Sequence, residues 1–231
     1  MQIENAVVLV TGGNRGLGKA FVREALARGA RKVYAAARDP RSVDTPGATP
    51  LALDVTDPDS VRRAATEAGD VTLVVNNAGI STRQSLLDGD LDEVRREFET
   101  NFYGPVLVTR AFAPVLANNG GGHLLNVHSV LSWISYATSY SAGKAALWQA
   151  TNGFRLELAP QGTGVTGLHV GYIDTDMAAT VDGPKASAED VARQAFDGVE
   201  AGAFEVLADD ITRTVKRGLS ADPAALYPQL V

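Results

Sequence analysis

The chain has 231 residues, 45% of them apolar, a formal net charge of −6 and no cysteine. That length suits one large α/β domain with a single core, and the missing thiols rule out disulfides, thiolate nucleophiles and cysteine-based zinc or iron–sulfur sites. The acidic balance without a basic block argues against nucleic acid or an anionic membrane as principal partner. With no leader-like or membrane-length apolar run, the expectation is a soluble cytoplasmic protein.

In chain order, an apolar run over 6–10 meets the stretch Thr11-Gly12-Gly13-Asn14-Arg15-Gly16-Leu17-Gly18, and an amphipathic helix pattern follows to about residue 28. Strand-like apolar runs then recur at 32–37, 49–53, 71–75, 124–127, 165–170 and 204–208. Between them lie helical patterns: one after residue 55 that Asp57 or Asp59 could cap, one over 91–116, one over 140–159 and one over 188–199. Because Gly104-Pro105 interrupts the 91–116 pattern, the expectation is one helix ending near Asn101 and another starting at Pro105. Strands buried on both faces and alternating with helices predict a single-domain, doubly wound parallel sheet of about seven strands. Its core would span 6–208, with a tail over 209–231. The polar segment 175–187 reads as a mobile loop over the site.

Three glycines between a buried strand and a helix let the backbone approach a ligand, and the helix N-terminus offers free N–H groups and a positive dipole to a pyrophosphate. The second strand ends at Arg38, where a dinucleotide's adenosine ribose would lie; an arginine there suits a 2′-phosphate, and Arg15 could reach it from the glycine turn. This predicts NADP(H) in preference to NAD(H), with NAD(H) possible, and leaves Asp39 to cap the turn at Pro40.

Tyr140 and Lys144 are four residues apart, one helical turn. A fixed ammonium beside a phenol favours the phenolate and brings proton transfer within range of a group whose ordinary pKa is about 10. Ser129 lies just beyond the strand 124–127 and could hydrogen-bond a substrate oxygen; Ser132 is the competing hydroxyl. His123, His128 and His169 form no metal-ligand pattern and read as structural, and no metal site is expected.

Together, Thr11-Gly12-x-x-x-Gly16-x-Gly18, Asp54-Val55, Asn76-Asn77-Ala78-Gly79, Asn101, Ser129 and Tyr140-x-x-x-Lys144 resemble the short-chain dehydrogenase/reductase family over nearly the whole chain. The resemblance implies that Gly12, Asn14, Arg15, Gly16, Leu17, Gly18 and Arg38 hold the cofactor's adenosine diphosphate. Asp54 and Val55 would meet its adenine, and Asn77, Ala78 and Gly79 its ribose. It also implies that Asn101 holds a water in a proton relay and that Lys144 binds the nicotinamide ribose while lowering the phenol's pKa. Tyr140 would then deliver the proton, with Gly171, Ile173 and Thr175 on the nicotinamide side. The chain departs from the family in a short interval between Ser129 and Tyr140 and in lacking the usual proline after the sixth strand. The brief segment after Thr175 implies a small or open pocket, for which Ser81, Trp133, Tyr136 and Tyr172 are candidate wall residues. The implied partner is a small carbonyl or alcohol substrate, and the implied assembly a homodimer or homotetramer. A dinucleotide-binding sensor or scaffold without turnover is the alternative use of the same fold.

Overall fold

Seven short apolar runs pair into one parallel sheet in the computed structural model, which describes residues 1–227. The strands are β1 (Val7–Thr11), β2 (Lys32–Ala37), β3 (Thr49–Ala52), β4 (Leu73–Asn76), β5 (His123–Val127), β6 (Gly164–His169) and β7 (Glu205–Leu207), ordered β3-β2-β1-β4-β5-β6-β7. The order reverses between β1 and β4, and the crevice beyond the carboxyl ends at such a switch point is where open α/β sheets bind ligands.

Alternate residues of each strand enter different cores. Val8 and Val10 join the layer under α1 (Gly16–Ala27) and α6 (Ala188–Glu200), built on Phe21, Val22, Val191 and Phe196. Val7 and Leu9 face the opposite layer, with Val61 of α2 (Pro58–Glu67) and Val108, Phe112 and Leu116 of α4 (Gly104–Asn118). This explains why the strands read as unbroken apolar runs. α5 (Thr138–Leu158) packs on that second side, joined to it by a polar seam: Asn76 donates to Asn126 (2.9 Å) and Thr109 (3.2 Å), and Asn126 donates to Thr151 (2.8 Å). Asp57, not Asp59, caps α2 by accepting the Asp59 N–H.

The expected break at Gly104-Pro105 does not occur. α3 (Leu91–Phe98) runs through a π-helical turn (Glu99–Tyr103) directly into α4, and the Gly104 N–H donates to the Glu99 carbonyl, five residues back. The widened turn accommodates a residue with no N–H, so the proline is absorbed rather than ending the helix. Gly104 is needed for another reason: a Cβ there would stand 2.9 Å from a Val55 methyl.

The tail folds back on the sheet edge as α7 (Asp210–Gly218) and α8 (Pro223–Leu226). Asp209 and Thr212 form a reciprocal capping box at the start of α7, and Lys216 of α7 pairs with Glu205 of β7 at 2.6 Å. Among the described residues, no helix is long and apolar enough to cross a membrane, and no cluster of three or more histidine or carboxylate side chains could hold a metal.

Candidate active site

β1 ends in a turn that needs glycine at Gly12, Gly16 and Gly18. Gly12 and Gly16 have φ of +64° and +51°, a region that side chains with a Cβ adopt at a cost. A Cβ on Gly18 would lie 2.0 Å from the Gly12 carbonyl oxygen. The turn is sewn to the end of β4 by Thr11, whose hydroxyl accepts the N–H groups of Asn77 and Ala78, both at 3.0 Å, and by the Asn77 amide, which donates to the Thr11 carbonyl at 2.9 Å. Arg15 is the N-cap of α1 but makes no side-chain cap, and the first turn carries no acidic residue. The first N–H groups of this helix therefore keep their positive end for an anion, which fits a pyrophosphate laid against the glycine cradle.

At the carboxyl end of β2, Arg38 is exposed and forms no ion pair among the described residues. Its neighbour Asp39 is engaged otherwise, accepting the Arg41 N–H at 3.1 Å and its guanidinium Nε at 2.9 Å. The Asn14 amide donates to Ser42 at 3.0 Å, closing the edge of the same hollow, and Arg15 stands 3.6 Å from Asp176 across the glycine turn. One Asp54 oxygen accepts the Thr56 N–H at 2.9 Å and its hydroxyl at 2.7 Å. The residues at hand thus fit a dinucleotide whose ribose carries a phosphate.

The other end of the site gathers around Lys144. This buried ammonium donates to the Val127 carbonyl at 2.8 Å, and its nitrogen lies 5.6 Å from the centre of the Tyr140 ring. Lys144 Nζ and Asn101 Oδ1 both stand within 4 Å of the place a Cβ on Gly79 would take. Asn101, wholly buried, uses its amide on Ile80, accepting that residue's N–H at 2.9 Å and donating to its carbonyl at 2.8 Å. Ser129, two residues past β5, accepts the Leu131 N–H at 3.2 Å, and Ser132 turns back to accept the Ser129 N–H at 3.3 Å.

The electrostatics differ from the sequence expectation. Burial, seconded by the Glu97 carboxylate, holds the Tyr140 phenol above its ordinary pKa. Lys144 is pushed down to about 8 by burial, against the pull of Glu97. Lys144 is buried and Tyr140 partly so, and loss of hydration disfavours the charged form of each, so the pair does not yield a lowered phenol here. At neutral pH the phenol keeps its proton and the amine its charge.

The turn after β6 lacks proline but is fixed from the tail: the Gly171 N–H donates to Asp209 at 2.6 Å. Ile173 bridges to Ala186, which closes the stem of the segment 175–187, and the Thr175 methyl group packs 3.3 Å from a Cβ position on Gly16. Trp133 is not free to line a pocket, because its ring stacks on His169 at 4.0 Å and carries Lys216 at 4.9 Å on the ring as well. His128 stacks on His169 in turn, while His123, pushed down to about 4 by burial, meets Thr166 at 2.9 Å. Tyr136 and Tyr172 are about half exposed; Tyr136 donates to the Leu226 carbonyl of the tail.

A family model for short chain dehydrogenases matches residues 6–185. The chain belongs to that family. It is 34% identical to dehydrogenase/reductase SDR family member 7B of Bos taurus, over 79% of this chain and 63% of that protein. It is 33% identical to the NADPH-dependent 1-acyldihydroxyacetone phosphate reductase of Schizosaccharomyces pombe, over 77% of this chain and 62% of that protein. It therefore spans somewhat under two thirds of either relative's length. A short chain dehydrogenase from Burkholderia cenocepacia, solved in complex with NADP, superposes with a TM-score of 0.94 and 39% identity over 100% of this chain and 99% of that one.

Two contributors to this site escape the sequence reading, Asp209 behind Gly171 and Glu97; Thr11 was read as part of the glycine motif, but without the role of its hydroxyl in seating β4. Asp209 and Glu97 sit among ordinary charged residues and carry no signal in sequence.

Proposed function

We propose that this protein reduces a ketone or aldehyde to an alcohol with NADPH, or runs the reverse, with Tyr140 as general acid or base. The observation that carries the reading is the junction at Lys144, where one buried ammonium meets the Tyr140 ring, the Val127 carbonyl and the Gly79–Asn101 contact. The bound cofactor supplies hydride to the carbonyl carbon. As charge builds on the carbonyl oxygen, Tyr140 gives it a proton and the Ser129 hydroxyl donates a hydrogen bond. Lys144 would hold the nicotinamide ribose. Asn101, its side-chain amide engaged by Ile80, would hold a water in the proton relay. Arg38 and Arg15 support the preference for a 2′-phosphate. Exposed Tyr103 and Leu156, on the α3–α4 turn and on α5, support a homodimer or homotetramer, and the cysteine-free composition supports a cytoplasmic setting.

The test is Tyr140→Phe against a panel of aldehydes, ketones, quinones and keto-esters, including an acyl dihydroxyacetone phosphate, followed by NADPH absorbance. Turnover is expected to fall by about 10²–10⁴-fold with NADPH affinity kept within a few-fold. Undiminished turnover removes Tyr140 from the mechanism.

A further inference from the structure

α3 shows an inversion of what an amphipathic helix normally does. Its exposed face carries the pairs Asp92–Arg95 and Glu93–Arg96, while its one buried side chain is the carboxylate of Glu97, 0% exposed. A carboxylate taken out of water costs several kcal/mol unless its oxygens are satisfied, and an apolar residue there would be cheaper. No cation lies within ion-pair distance of Glu97 among the described residues. Its partners come instead from a loop and from the first turn of α5: the Thr82 N–H donates to one oxygen at 2.7 Å, and the Ser139 hydroxyl donates to the other.

Those are the two segments that flank the proton donor. Residues 80–84 follow the Asn77-Ala78-Gly79 segment, and Ser139 immediately precedes Tyr140. The short chain from Ser129 to Tyr140 leaves Thr138 at φ +30°, a strained conformation for a β-branched residue that persists only where its surroundings hold it. The holding contacts are the Thr138 hydroxyl on the Gln84 carbonyl and Ser139 on Glu97.

We propose that Glu97 is a positioning residue for the proton donor: its buried carboxylate ties the first turn of α5, through the residue next to Tyr140, to the loop after β4 and sets a negative charge there. This rests on the reading of Tyr140 as the acid. Of the charged and titratable groups, Arg96 shares its helix, Tyr140 and Lys144 feel its charge from α5, and His128, at the end of β5, feels Lys144 in turn. The negative charge opposes ionisation of the phenol and opposes loss of the ammonium's proton, so both stay in the forms needed to protonate a substrate.

Glu97→Gln keeps the shape and removes the charge. In the full-length protein its expected effect is a shift of the Lys144 titration, and of the alkaline limb of kcat for carbonyl reduction, to lower pH by about 0.5–1 unit. Lys144 is read by NMR of ε-carbon-labelled lysine, assigned with Lys144→Met, a measurement that needs no substrate. Ser139→Ala is expected to lower kcat several-fold while leaving both titrations in place, and Glu97→Asp to restore most of the Gln variant's shift. A Glu97→Gln titration superimposed on the parent's overturns the proposal. If that variant does not fold, Glu97→Leu, which also removes the charge, decides by the same readout: a shift of the Lys144 titration to lower pH upholds the proposal and none overturns it. A shifted Lys144 titration in a protein whose Tyr140→Phe variant still turns over would uphold Glu97's influence and count instead against Tyr140 as the acid.

Discussion

At the glycine turn the groups offered to a ligand are main-chain amides, held in place by glycine conformations and by Thr11; around the start of α5 they are side chains brought in from α3, β5 and the π-helical turn. The first region is local: Thr11 to Gly18 is one continuous stretch, tied to the end of β4 by four hydrogen bonds from Asn77 and Ala78. The second is assembled across the chain, with Ser139 meeting Glu97 over 42 positions and Gly171 meeting Asp209 over 38. A backbone cradle tolerates change in its surroundings and fails when a side chain is added. A side-chain assembly tolerates small changes at each contact and fails when a buried charge or its partner is removed.

Substitutions on the two sides should therefore fail differently. The largest effect is expected for Gly18→Ala, whose Cβ would stand 2.0 Å from the Gly12 carbonyl and 2.6 Å from the Asn77 amide. Distortion of the turn should weaken NADPH binding about a hundredfold or more, near the roughly 3 kcal/mol that overpacking can cost. Titration calorimetry giving an affinity close to the parent's would show that this turn does not hold the cofactor. Next comes Asp209→Ala, which strips the acceptor from the Gly171 and Thr212 N–H groups. A loss of about 2–3 kcal/mol in urea unfolding is expected, with NADPH affinity less affected; a loss within error of zero would mean the tail does not fix the turn after β6. The smallest effect is expected for Arg38→Ala, since the guanidinium is exposed and screened. It should weaken NADPH about tenfold and leave NADH unchanged. Equal losses for the two cofactors would remove Arg38 from the discrimination.

How legible each side was follows the same division. The strands were readable because both faces of the sheet are covered, so Val7 to Val10 are apolar without alternation. The glycine turn was readable because positive φ and close approach demand glycine. Gly104-Pro105 misled: a proline signals a helix break, and nothing local announces that a π-helical turn will absorb it. Glu97 was invisible because Glu93, Arg95 and Arg96 around it describe a solvated helix face. The phenol's direction was misjudged because charge spacing along a helix is in the sequence, whereas the degree of burial that outweighs it is not.

By itself, then, the order of residues determined the alternation of strands and helices, the parallel sheet, the cradle for a pyrophosphate and the pairing of Tyr140 with Lys144 on one helix face. Those depend on periodicity and on backbone conformations that particular residues allow. Packing alone decided that Glu97 is inside, that Asp209 stands in for a proline, and that Trp133 stacks on His169 instead of facing a substrate. A polar side chain's energy turns on whether distant segments strip it of water and supply its partners, and that is known only once the chain has closed on itself.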